Sequence, residues 1–343
     1  MSQNQAAWIL GPKANPLVVR DAPMPKAGPG QVAIRSEVIA LNLRTYHGCF
    51  RDWDFFKTKY PFILGADVGG RIEEVGEGVN HLHKGQRVIA YCMGLGNNDP
   101  RFGAYQKYPL VHEALVSPVP DTMSLTQAVV LPLAITTASV SLYHPNHLAL
   151  PLPQRSPKET GKTLFIWGGA SSVGSTAIQL ARASGLRVVS TASSHNHELV
   201  RSLGASVVLD YKSPTIVDDA VAALADCDLV GCYDAISESA SLEPLGAILD
   251  RIGPHKVCLI VTPRQALSSN MKWTLSLAFE IMDDKGKHLV DHIWHNFVPE
   301  ALADGQLQPK PDHLVIGRGL ETLQSGLDRL RKGVSARKLV IEV

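Results

Sequence analysis

The feature that most constrains the fold is an alternation that begins after Gly161. Apolar runs "TLFIW", "RVVSTA", "SVVLDY", "DLVGCYDAI" and "KVCLIV" take turns with segments such as "SVGSTAIQLARASG" and "NHELVRSLG", where apolar residues recur at helical spacing. Runs apolar on both faces belong inside a parallel sheet, and the segments between them supply its helical cover. Ahead of this region the texture differs. "PLVVRD", "QVAIRSEVIAL", "GGRIEEVGEG" and "GQRVIAY" are short, β-branched and set off by glycine and proline, as in a compact β-rich domain. "SLTQAVVLPLAITTASVSLYH" follows, low in charge and helical in period apart from Pro132, and "PLPQRSPKETG" reads as a surface loop. The tail, "HLVIGRGLETLQSGLDRLRKGVSARKLVIEV", returns to strand, amphipathic helix and strand, a pattern able to rejoin the β-rich part.

Composition narrows the function classes. The chain has 343 residues, 45% of them hydrophobic, enough for two domains with cores of their own. Thirty-three basic residues face 32 acidic ones and no basic run tracks a phosphate backbone, so no nucleic-acid partner is expected. The first residues lack a charged and then apolar leader, and no run of about eighteen apolar residues is expected to span a membrane, which fits a cytoplasmic protein. The five cysteines, Cys49, Cys92, Cys227, Cys232 and Cys258, are scattered without a C-x-x-C pair and read as inert thiols. His288, His292 and His295 would share a face of one helix at i, i+4, i+7, but no acid or cysteine is arranged to complete a site, and no metal is expected.

In "TLFIWGGASSVGSTAIQL" a strand over Thr163 to Trp167 leads through a turn of small residues into a helix starting near Val173. A helix N-terminus offers free N–H groups and partial positive charge, and small residues let a pyrophosphate approach them. On the G-x-G-x-x-G pattern the turn supplies Gly169, Ser171 and Gly174, with Ala170, Ser172 and Val173 between them and the middle glycine replaced. Taken alone it fits a phosphate cradle or a plain tight corner. No lysine follows, so it is not a P-loop. The next strand discriminates: where NAD-binding folds place an acid for the ribose hydroxyls, "VVSTASSHNHE" offers Ser193, Ser194, His195 and Asn196. Hydroxyl, imidazole and amide donors suit the 2′-phosphate of NADPH, which a carboxylate would repel. Tyr211, after the third strand, can add its hydroxyl or merely pack.

The order and spacing of "ILGADVGGRIEEVGEGV", "HKGQRVIAY", "GAYQKYPLV", "AVVLPLAITTAS", "GGASSVG" and "RKGVSARKLVIEV" resemble the medium-chain dehydrogenase/reductase superfamily over essentially the whole chain. The resemblance implies an α/β fold in which a Rossmann domain is inserted in a β-rich, GroES-like catalytic domain: residues 1–126 for its N-terminal part, 127–272 for the NADP-binding domain and 273–343 for the return. Zinc-dependent members carry cysteine in the early loop and histidine-glutamate after the later glycine; here those places read "LNLRTYHG" and Gly65-Ala66-Asp67, and Cys92 stands where a four-cysteine lobe would be. The chain is most similar to the zinc-independent quinone oxidoreductase and enoyl reductase branches, and within them to fungal trans-acting enoyl reductases of polyketide pathways.

That resemblance implies NADPH-dependent reduction of the carbon–carbon double bond of an α,β-unsaturated carbonyl compound. The substrate would be a small molecule or an acyl chain on a carrier protein, with a polyketide synthase as partner and a monomer or homodimer as the working form. His47 falls where the family has a functional lysine, and its ordinary pKa of about 6.5 suits proton donation near neutral pH; Tyr46 would hydrogen-bond the carbonyl oxygen. Thr137, Val261 and Lys338 match cofactor-side positions, and Asn42 and Trp273 substrate-side ones. Trp53, Phe55 and Phe56 would wall an apolar pocket or belong to core. Asp67, without zinc, would pin a loop through backbone hydrogen bonds. A quinone or aldehyde reductase, a non-redox enzyme and a structural NADPH-binding protein remain alternatives.

Overall fold

The computed structural model describes residues 3–42 and 58–343. The chain forms two compact units, Met1–Leu133 with Asp312–Val343, and Ala134–Pro311.

The first unit carries two sheets. Strands β1 (Gln5–Ile9), β2 (Val18–Asp21) and β4 (Phe62–Ile63) form the smaller one in the order β2-β1-β4. The larger contains β3 (Gln31–Ala40), β5 (Asp67–Val75), β6 (Arg87–Tyr91), β7 (Leu110–His112) and β8 (Val116–Pro118). The tail adds β15 (His313–Arg318) and β16 (Lys338–Glu342), giving the order β15-β16-β3-β5-β6-β8 with β7 also on β3. Val340 lies opposite Ala40 in an antiparallel register, so the return predicted for the tail is a strand pairing with β3.

The second unit is built on β9 (Lys162–Trp167), β10 (Arg187–Ala192), β11 (Val207–Asp210), β12 (Asp228–Asp234), β13 (His255–Leu259) and β14 (Met271–Leu275). They lie in the order β11-β10-β9-β12-β13-β14 and every pairing is parallel. Counted from the first strand this is 3-2-1-4-5-6, the doubly wound order whose reversal falls between β9 and β12. Phe165, Trp167, Cys232, Leu245, Leu249 and Val257 share one core cluster, and the Phe165 and Trp167 rings meet edge to face at 6.1 Å.

Three features differ from the sequence reading. The units divide at Leu133/Ala134 and Pro311/Asp312 instead of after residues 126 and 272, because Met271–Leu275 is a sixth strand of the parallel sheet. The run Leu125–Tyr143 is long and apolar enough, by composition, to cross a membrane; 83% of its most apolar window is buried inside the fold. It is also interrupted: Ser124 caps a single turn, Leu125–Ala128, and a second helix starts at Pro132, where a missing N–H costs nothing. Finally, Val290–Phe297 is π-helical, so the i, i+4, i+7 spacing no longer stacks His288, His292 and His295 on one face. His292 Nε2 donates to the Pro153 carbonyl at 2.7 Å, and His295 lies 3.3 Å from Asp291.

Phe165 is fully buried on a central strand, so Phe165→Ala is expected to cost about 3–5 kcal/mol, read as a lower denaturant midpoint for the second unit.

Candidate functional site

The described candidate residues fall mainly into two groups, one in each unit. In the second unit the predicted turn stands at the carboxyl end of β9. Ser171 caps the helix Ser172–Ala183, its hydroxyl accepting from the Gly174 N–H at 3.0 Å. Ser175 bonds back to the Ser171 carbonyl at 2.8 Å, and the N–H groups of Ala170 and Val173 meet no acceptor among the described residues. The glycines serve packing. A Cβ on Gly169 would stand 2.3 Å from Ser190 Oγ, and one on Gly174 2.2 Å from the Gly168 carbonyl oxygen. They let the turn lie on β10 and the helix close on the turn, which places the free N–H groups beyond the strand end.

The end of β10 gathers the predicted donors. Ser193 is buried, its Oγ accepting from Asn196 Nδ2 at 3.1 Å and lying 3.3 Å from His195 Nε2. Ser194 is exposed on the same 3-10 turn, Ser194–Asn196. The register sets Ala192 beside Asp210, the last residue of β11, and Tyr211 follows in the turn beyond it; it is 41% exposed, with the Lys212 ammonium 6.0 Å from its ring. No acid occupies positions 193 to 197. Val261 lies just beyond β13, at the same edge of the sheet. Trp273 is elsewhere: it sits within the outermost strand, β14, 43% exposed, with β12 and β13 between it and the turn. Thr137, half-buried on the helix Pro132–Tyr143, accepts the Ser141 hydroxyl on its carbonyl at 2.8 Å.

The strand at the reversal point holds a group that sequence reasoning passed over. Asp234 ends β12, opposite Trp167, and is completely buried. Its Oδ1 accepts from the N–H groups of Ile236 and Ser237, both at 2.9 Å, and its Oδ2 from the Ser241 hydroxyl at 2.7 Å. Burial, outweighing these bonds, pushes its pKa up to about 6. The only signal in the sequence was an acid closing an otherwise apolar strand.

In the first unit the centre is Asp67, the first residue of β5, also fully buried. Its Oδ2 accepts from Asn42 Nδ2 at 2.8 Å and lies 3.2 Å from Lys338 Nζ; its Oδ1 accepts from the Leu133 N–H at 2.6 Å. Lys338 Nζ donates in turn to Asn42 Oδ1 at 2.6 Å. Asn42 and Lys338, predicted to face substrate and cofactor, thus meet each other on one carboxylate. Burial first, and then the Asp67 charge, hold Tyr91 and Cys92 protonated. The buried Cys232 and Cys258 thiols are likewise pushed up, to about 12 and about 11, so these thiols are unreactive. Tyr46, His47, Cys49, Trp53, Phe55 and Phe56 lie outside the described residues.

A unit with a doubly wound sheet, together with a β-rich unit assembled from both chain ends, defines the medium-chain dehydrogenase/reductase class. The alcohol dehydrogenase GroES-like domain family matches residues 28–121. The chain is 41% identical, over 99% of its own length and 97% of the relative's, to the trans-enoyl reductase himH of Aspergillus japonicus. An alcohol dehydrogenase superfamily protein from Novosphingobium aromaticivorans superposes with a TM-score of 0.81 at 23% identity, covering 99% of both chains. A mycobacterial protein solved in complex with NADPH does so with a TM-score of 0.72 at 21% identity, covering 100% of both. The chain therefore belongs to the medium-chain dehydrogenase/reductase family and is an oxidoreductase of it.

Two stability measurements check these electrostatics. Lys338→Met leaves the buried Asp67 carboxylate without its cation and is expected to cost about 3–5 kcal/mol, whereas Asp67→Asn combined with Lys338→Met should cost clearly less. For Asp234 the folded-state pKa lies above the usual 3.8, so its contribution is full below about pH 4 and is lost as pH rises through 6. Relative to Asp234→Asn, the native protein should lose roughly 2 kcal/mol between pH 4 and pH 7 in chemical denaturation.

Proposed function

We propose that this chain is a zinc-independent, NADPH-dependent reductase of the carbon–carbon double bond of α,β-unsaturated carbonyl compounds, acting in the cytoplasm on an acyl chain presented by a polyketide synthase carrier protein. The observation that carries the cofactor is the donor set at the end of β10. His195 and Asn196 each lie within hydrogen-bonding distance of the Ser193 hydroxyl, with no acid at the position where NAD-binding folds use one. The N–H groups of Ala170 and Val173 suit the pyrophosphate. The reaction class follows the likeness to a trans-enoyl reductase at 41% identity.

Zinc independence is supported by the donor set itself. Asp67 already has the Lys338 ammonium at one carboxylate oxygen and the Leu133 N–H on the other, so neither oxygen is left open to a metal.

NADPH, when bound, supplies the hydride. The chain's part is to orient and to handle charge. Thr137 holds the nicotinamide end and Ser193 to Asn196 with Tyr211 the adenosine 2′-phosphate. Tyr46 hydrogen-bonds the substrate carbonyl oxygen, on which negative charge develops, and His47 delivers the proton to the α-carbon.

The decisive experiment is a panel of enoyl thioesters, enones, quinones and aldehydes with NADPH oxidation as readout. Turnover of enoyl thioesters is expected; oxidation with quinones or aldehydes alone would favour the alternative reductases, and none at all would exclude a redox role. His47→Ala should lower turnover by roughly 10²- to 10⁴-fold, and an unchanged rate would remove it from the mechanism. Ser193→Asp sets a like charge against the 2′-phosphate. It is expected to weaken NADPH binding roughly 100-fold while sparing NADH, measured by fluorescence titration.

A further inference from the structure

We infer that Asp234 is a positioning residue for the dinucleotide site: its buried carboxyl sets the height of the Gly168 turn by fixing the loop that runs beneath it. The inference rests on the cofactor reading above and adds a residue that makes no contact with the cofactor. Three segments leave the carboxyl ends of adjacent strands here, Gly168 onward from β9, Ala235 onward from β12 and Ile260 onward from β13. The loop that Asp234 bends ties all three together, through Ala235 to β9 and through Ser237 to β13.

Its Oδ1 takes the N–H groups of Ile236 and Ser237, bending the chain so sharply that Ser237, a non-glycine residue, adopts φ +56°. So unfavourable a backbone persists only where its surroundings hold it. The Ser237 hydroxyl donates to the Asp234 carbonyl and accepts from the Ile260 N–H, both at 2.9 Å, which draws in the residue before Val261. The Ala235 N–H donates to the Trp167 carbonyl at 3.0 Å, joining the loop to the end of β9.

The bend drives Ile236 under the turn. Gly168 has φ +83°, and a Cβ there would stand 2.6 Å from Ile236 Cγ1, so the turn rests on the isoleucine with no room between them. Ser171 N–H in turn donates to the Gly168 carbonyl at 3.0 Å, and Ser171 caps the helix. Any shift of Ile236 therefore passes to Gly168, to Ser171 and to the N–H groups proposed for the pyrophosphate. The turn also meets β10 at Thr191, whose hydroxyl and carbonyl accept the Gly168 and Gly169 N–H groups, but Thr191 is fixed by its place inside the parallel sheet, and the 2′-phosphate donors beyond it have a bond of their own, from Asn196 to Ser193.

That separation provides the test. Calorimetric titrations with NADPH, and with adenosine 2′-monophosphate, which fills the β10 pocket without reaching the turn, are made on the native protein and on Asp234→Ala. NADPH affinity is expected to fall about tenfold or more, while affinity for the monophosphate stays within about twofold. Asp234→Asn, which can still accept both N–H groups, should restore NADPH binding to within about threefold of native. A folded Asp234→Ala protein that binds NADPH as the native one does, or that weakens toward both ligands alike, overturns the inference. If Asp234→Ala does not fold, Ile236→Ala replaces it, since it keeps every bond of Asp234 and removes only the support under Gly168. The same selective loss is expected, and unchanged NADPH affinity overturns the proposal. A native protein that binds neither ligand overturns the cofactor reading itself, a result visible before any substitution is made.

Discussion

The first unit depends on one carboxylate. Asp67 joins residues far apart in sequence, taking hydrogen bonds from Asn42 after β3 and from Leu133 in the first turn of the helix Pro132–Tyr143, and pairing with Lys338 at the start of β16. A buried charge of this kind is strongly destabilising unless paired and hydrogen-bonded, and here both oxygens are engaged. The requirement acts as a constraint on topology. The tail must return, β16 must lie beside β3, and the helix must start where its N–H can reach Asp67. A negative charge at that helix start is also favoured by the helix dipole.

The second unit uses a buried aspartate differently. Asp234 meets no cation among the described residues; two backbone N–H groups and a serine hydroxyl compensate it, and burial still raises its pKa to about 6. Asp67 joins segments through an ion pair, whereas Asp234 shapes a single bend through directional hydrogen bonds. Each unit thus places a carboxyl where irregular backbone leaves regular structure, the location at which N–H groups lose their ladder partners. In the second unit the proposed cofactor contacts fall on irregular segments of this kind, just beyond β9 and β10.

Much of this was legible in the sequence, and the rest was hidden for identifiable reasons. Five of the six parallel strands announce themselves as apolar runs, and the turn at Gly169 and the donors at Ser193, His195 and Asn196 follow from local pattern. Met271–Leu275 was not read as a strand because its edge position leaves Lys272 and Trp273 exposed, erasing the apolar signature. Trp273, which the family resemblance sets on the substrate side, lies mid-strand at that sheet edge. Gly169 and Gly174 were read as room for a phosphate; the atoms around them show the space taken by Ser190 and Gly168. Lys338 owes its role to partners that only the fold brings near, Asp67 and Asn42, across almost the whole chain, whereas Asp234 bonds to residues close by in sequence and owes to the fold its complete burial. Spacing along a sequence carries no information about such meetings.

The central claim is that the carboxyl edge of the parallel sheet receives NADPH, with its pyrophosphate at the turn after β9 and its 2′-phosphate at the end of β10. A crystal structure of the protein grown with NADPH tests it most directly. The account predicts pyrophosphate oxygens within hydrogen-bonding distance of the Ala170 and Val173 N–H groups, and the 2′-phosphate on Ser193, His195 and Asn196. A dinucleotide bound away from this edge, or one whose 2′-phosphate meets none of those three side chains, would contradict it.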